Sequence, residues 1–288
     1  MSIAKRRALT QSRALNSPED NPEAEDRDVF SPDEAIKLAS LPLFTGCASP
    51  SRIWNPGEFF IQNFLYWGYV LALVTGMRPA EIAQVRCSDL VSIEDEEGVV
   101  WFFDFTDRLK DAKTSTSRRM IPLLPLVIEL GLVERRDTLV EAGYDRLFPE
   151  WTPLVKTTGE VKHGHALSKS WQYIKVKFGF TRHGVTLYSA RHWFAQRLDE
   201  IGQLAERARH MAMGHATGKS KARLTYGAQS LSLGIARMIN AISDPTLTKV
   251  AEILLDAKRR ADCGELRRVP ILELVKARPV TTSRSTVR

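Results

Sequence analysis

The densest run of apolar residues lies at Phe64–Val74, within a stretch from 60 to 74 that predicts a buried helix stopped by Thr75-Gly76. Pro79 suits the first turn of a following helix over Pro79–Val85, which places Arg78 at a helix–helix junction. Further on the pattern turns β-rich, with Gly-Val-Val-Trp-Phe-Phe-Asp-Phe-Thr over Gly98–Thr106 and a second strand over Arg118–Leu123. The polar loop between them carries Lys110 and Lys113, so a hairpin or small sheet is expected with Lys113 near its tip. A loop rich in Gly, Thr and Lys follows Pro149 and reaches His165. Helical spacing then predicts Ser168–Lys177, Ser189–Ile201 and Leu204–Met213, the last capped by Gly214. A polar loop or short helix over Ala216–Tyr226 precedes helices at Leu231–Ile242 and Thr248–Ala261. The fold class expected is α+β, mainly helical, with a small antiparallel sheet or hairpin.

The ends read differently. Residues 1–30 are polar, and between Pro18 and Glu34 eight acidic side chains face only Arg27. Such a segment buries too little apolar surface to offset its ordering entropy, so disorder is expected there. Ser31-Pro32-Asp33-Glu34 resembles a capped helix start, with a helix over Asp33–Ser40. The part after residue 245 is set apart as a C-terminal helix and tail. The tail beyond Arg267, with Lys276, Arg278, Arg284 and Arg288, is expected to be a flexible basic extension.

Charge narrows the partners. A formal net charge of +7 and a pI near 9.4 favour a polyanionic partner such as nucleic acid. Cys47, Cys87 and Cys263 show neither pairing nor metal-ligand spacing, which fits a reducing compartment. The apolar run at Phe64–Val74 is about half a membrane span, and the N-terminus lacks the apolar core of a signal peptide. A cytoplasmic protein with no membrane association is expected.

Six residues carry candidate chemistry: Arg78, Lys113, Tyr188, Arg191, His215 and Tyr226. Two guanidinium forks can hold a phosphodiester and stay charged as negative charge spreads in a transition state. Lys113 suits a general acid on a loop, with Lys110 as its competitor, and His215 can donate to a phosphate oxygen. Tyr226 could attack phosphorus once neighbouring cations stabilise its phenolate. Glu81, one turn after Arg78, is either a partner that orients it or a solvated i,i+3 ion pair. Each residue alone has a plainer reading as a surface ion pair, a loop lysine or a packing tyrosine. The remaining histidines (His163, His165, His183, His192, His210) show no metal-ligand pattern, so neither metal nor cofactor is expected.

Taken in order, Thr75-Gly76-Met77-Arg78-Pro79-Ala80-Glu81, Leu187-Tyr188-Ser189-Ala190-Arg191-His192, Met213-Gly214-His215 and Tyr226 resemble the tyrosine recombinase (phage integrase) family. The resemblance extends to Leu41-Pro42-Leu43-Phe44-Thr45-Gly46, to Lys113-Thr114 with Arg118-Arg119-Met120-Ile121-Pro122-Leu123, and to Leu147-Phe148-Pro149, covering residues 31–245. It implies catalytic roles for Arg78, Lys113, Arg191, His215 and Tyr226. The tyrosine would form a 3′-phosphotyrosine with release of a 5′-hydroxyl, reversed by a partner strand without ATP or metal. It also implies double-stranded DNA as the partner, self-association as a tetramer on that DNA, and service to a mobile genetic element.

Two departures stand out. The family usually places histidine three residues before its second arginine, where this chain has Tyr188. Losing one good donor costs about 3–4 kcal/mol of transition-state stabilisation, of which the tyrosine hydroxyl recovers part, so slowed chemistry is expected. About 30 polar residues precede the catalytic region, too few for the family's N-terminal DNA clamp. An accessory DNA-binding protein could supply that grip. Type IB topoisomerase-like cleavage and a non-catalytic DNA-binding accessory role are the alternatives to recombination.

Overall fold

The computed structural model describes residues 28–106, 119–201, 206–213, 233–242 and 244–276. They form a mixed fold, mainly helical, with a small antiparallel sheet. Its first helices are α1 (Pro32–Ala39) and α2 (Pro42–Thr45), followed by strand β1 (Phe59–Phe60) and helices α3 (Phe64–Thr75) and α4 (Pro79–Ile82). In α1 the capping box is complete: the Glu34 N–H donates to Ser31 Oγ and the Ser31 N–H to Glu34 Oε2.

Helix α3 is the axis of the core. Every residue in it except Leu65 is buried, as expected of a helix apolar on all sides. It begins at 64 rather than 60 because Asn63 Oδ1 caps it, accepting from the Leu65 and Tyr66 N–H groups at 3.1 and 3.0 Å. Phe59 and Phe60 instead pair with Arg267 and Arg268. Gly76 ends the helix in the left-handed conformation, φ 61°, where a side chain would be strained. Helix α4 is shorter than the sequence predicts. The Leu147 N–H donates to the Val85 carbonyl at 2.9 Å and Arg86 is extended, so the chain has left the helix by residue 85.

The central sheet joins β2 (Leu90–Asp95), β3 (Gly98–Asp104) and β4 (Met120–Pro122) in that order, all antiparallel. Leu90 pairs with Phe103, Asp95 with Gly98, and Phe103 with Ile121. The β3/β4 pairing matches expectation. β3 ends at Asp104 because its carboxylate turns the chain, accepting from the Thr106 N–H at 2.8 Å and hydroxyl at 2.6 Å. β2 escapes a sequence reading because only Leu90 in it is buried, leaving no alternation to see.

Helices α5 (Pro125–Glu129) and α6 (Leu132–Glu141) follow. The loop expected after Pro149 contains a two-stranded ribbon, β5 (Leu154–Val155) and β6 (Val161–Lys162). Helix α7 (His165–Lys177) starts three residues before the expected Ser168. Helices α8 (Ser189–Glu200), α9 (Glu206–Met213) and α10 (Leu233–Asn240) lie close to their expected places. α10 packs on its own chain. Ala236 is buried with Val100, Phe102 and Met120 of the sheet, and Ile239 with Phe194, Leu198 and Met213. Arg237 Nη1 also donates to Asp95 Oδ2 at 3.0 Å.

The helix expected over Thr248–Ala261 is α11 (Pro245–Asp262), which buries Leu247, Val250, Leu254, Ala257 and Ala261 in the main core. Both ends depart from the disorder expected of them. The tail is ordered well past Arg267: β7 (Arg267–Arg268) pairs in parallel with β1, and helix α12 (Ile271–Lys276) buries Leu274 and Val275. At the other end the polar segment gives way before residue 30. Phe30 is buried, its ring 5.6 Å from Trp171, and the Asp28 N–H donates to the Gly184 carbonyl. No helix among the described residues is long and apolar enough to cross a membrane.

Candidate functional site

Arg78 is the N-cap residue of α4, extended at φ −74° and ψ 146°, and the turn from α3 through Gly76 fixes where it stands. Glu81 reaches back to it. Its Oε2 accepts the Arg78 N–H at 2.8 Å and its Oε1 accepts Arg78 Nη1 at 3.2 Å. The same carboxylate takes a second, two-pronged partner in Arg119, whose Nη1 and Nη2 donate to Oε1 and Oε2 at 3.0 and 3.1 Å. Glu81 is therefore not a solvated i,i+3 pair. Its side chain is 18% exposed, against 39% for Arg78 and 3% for Arg119. Burial pushes the Glu81 carboxyl up, but the charge and hydrogen bonds of Arg119, with those of Arg78, outweigh it and hold the group at about 2.

Arg191 approaches from α8. It is buried at 3% exposure, with Nη1 donating to the Gly76 carbonyl and Nη2 to the Met213 carbonyl. Those carbonyls stand at the C-terminal ends of α3 and α9, where aligned backbone dipoles favour a cation. Burial first, and then the positive charge of Arg78, lowers its pKa to about 10, while Tyr188 and Glu81 act in the opposite sense. It stays charged at neutral pH. Close packing enforces the arrangement: a Cβ on Gly76 would lie 2.7 Å from Phe194 Cδ1, one turn along α8 from Arg191.

Tyr188 is the N-cap residue of α8 and is half-buried. Its ring meets that of His192 edge to face at 4.9 Å. Helix α7 brings a further segment alongside. A Cβ on Gly164 would lie 2.9 Å from Pro79 Cβ and 3.0 Å from the Ala80 nitrogen, so His163 and His165 flank the start of α4. Burial lowers the His163 pKa, and the charge of Arg146 adds to that.

The structure thus brings Arg78, Arg119, Arg191, Glu81 and Tyr188 into one neighbourhood, in which three guanidinium groups outnumber one carboxylate among the described residues. Lys113, its competitor Lys110, His215 and Tyr226 lie outside the described residues. Arg119 is the residue that sequence reasoning missed as a functional group. In the sequence it is one of a basic pair at the start of the expected strand Arg118–Leu123, with nothing to single it out from Arg118. No group of His, Cys, Asp and Glu suited to a metal ion occurs among the described residues. Comparison with protein-family models, with curated proteins and with solved structures found no match.

Proposed function

We propose that this chain cuts and rejoins DNA as a tyrosine recombinase. The observation that carries the reading is the meeting of Arg78 and Arg191 at Gly76, whose carbonyl Arg191 holds across 115 residues of sequence. Two buried or half-buried guanidinium groups in one net-positive neighbourhood suit a phosphodiester and the charge that builds on it. Tyr188 stands beside them as a hydroxyl donor. In the proposed step the Tyr226 phenol gives up its proton to His215 acting as base, and its oxygen bonds to phosphorus. The bond from phosphorus to the 5′ oxygen breaks, and Lys113 protonates that oxygen, with His215 as a further phosphate donor. A 5′-hydroxyl from another strand reverses the sequence. Site-specific integration or excision by a DNA-bound assembly of several copies is the biological form of this chemistry.

One observation favours a second reading. Arg191 is committed to two main-chain carbonyls, which also suits a structural cross-link in a DNA-binding accessory protein that does not cut. Nicked suicide duplexes separate the two. A denaturation-resistant protein–DNA adduct absent from Tyr226→Phe supports the recombinase, whereas tight binding without an adduct supports the accessory protein.

A further inference from the structure

The Glu81 carboxylate stands between two arginines that it treats unequally. Arg119 grips both of its oxygens from a nearly fully buried position, while Arg78 touches Oε1 with a single guanidinium nitrogen at 3.2 Å and remains 39% exposed. Arg119 is itself anchored to the sheet: its carbonyl accepts the Phe105 N–H at 3.0 Å. Its Nε has no partner among the described residues, an unfavourable feature that an apolar side chain filling the same space would avoid.

The geometry points to Arg119 as a positioning residue that occupies Glu81 and so keeps the Arg78 guanidinium available to an anion. Glu81 gives its two-pronged pairing to Arg119, which leaves Arg78 with one longer contact and much of its guanidinium exposed. Without Arg119 the carboxylate would take Arg78 as its own two-pronged partner and withdraw it from the site. Glu81 then has two roles. Its Oε2 fixes the backbone of Arg78 in either case, but only with Arg119 present does it leave the side chain free to act. The inference rests on the reading of Arg78 as a phosphate-binding group.

Availability of Arg78 is measured directly by its rate of modification with phenylglyoxal, followed by peptide mass mapping. Arg119→Met is expected to slow modification of Arg78 about tenfold, as a paired guanidinium reacts less readily than one facing solvent. Glu81→Gln combined with Arg119→Met is expected to return the rate to within about twofold of the unsubstituted protein, because no carboxylate remains to capture Arg78. Cooperative urea unfolding checks each variant. Where Arg119→Met fails that check, Arg119→Gln takes its place with the same slowing expected. An unchanged rate in the single variant, or a double variant as slow as the single one, overturns the inference. Inorganic phosphate added to the unsubstituted protein tests the underlying reading separately. Protection of Arg78 supports an anion site, and absence of protection removes that site whatever the variants show.

Discussion

Arg191 donates to the main-chain carbonyl of Gly76, two residues before Arg78, so one buried guanidinium sets the position of the turn that delivers another. The bond closes α8 against the end of α3, while the second Nη of Arg191 ties in the end of α9. Arg191→Met would leave both carbonyls buried without that donor. The expected loss is about 2–4 kcal/mol in urea unfolding.

Gly76 is constrained twice over, by its left-handed φ of 61° and by the 2.7 Å approach to Phe194 that any Cβ would make. Gly76→Ala is expected to destabilise by about 1–3 kcal/mol. Thermal unfolding of this variant beside Gly98→Ala checks the packing part. Gly98 also has a positive φ, at 109°, but open space around it.

The pH dependence follows from Glu81, whose carboxyl is lowered from 4.5 to about 2 in the fold. A carboxyl depressed on folding contributes stability that is fully present above its unfolded value and is lost as pH falls through the folded one. The stability difference between the unsubstituted protein and Glu81→Gln is therefore expected to be constant above pH 5 and to shrink steadily between about pH 4.5 and 2. Its upper bound is about 3 kcal/mol, reduced by the partial exposure of the group. Urea unfolding at a series of pH values measures it, and a gap independent of pH would remove Arg119 and Arg78 as the cause.

Tyr188 sits where the resembling family places histidine, beside Arg191 at the start of α8. Under the recombinase reading, Tyr188→His is expected to speed covalent capture of DNA about tenfold or more, since an imidazole restores a stronger donor. Tyr188→Phe is expected to slow it by a similar factor. Single-turnover adduct formation gives both rates.

The parts of this architecture that announce themselves by periodicity were readable in advance. Continuous apolar character marks α3, and Gly76 with Pro79 marks the turn that carries Arg78. β2 was not readable because it buries one side chain, and α4 looked longer because nothing local reveals that Val85 is drawn away by Leu147. The tail after Arg267 looked like a basic extension because its order comes from pairing with Phe59 and Phe60, more than 200 positions earlier. In the candidate site, Arg78 and Arg191 were found from their flanking residues. The role of Arg119 depends on a contact with Glu81 that spans 38 residues and leaves no local trace.

Under the recombinase reading, Arg78, Arg191 and Tyr226 act on the same DNA phosphate. The most direct test is covalent capture on a nicked suicide duplex, followed by nuclease trimming and mass mapping of the linked peptide, in the unsubstituted protein and in Arg78→Lys. A nucleotide linked through its 3′-phosphate to Tyr226 is expected in the first, with formation slowed about a hundredfold or more in the second. Linkage at another residue, or an Arg78→Lys variant that cleaves at the unsubstituted rate, would contradict that reading.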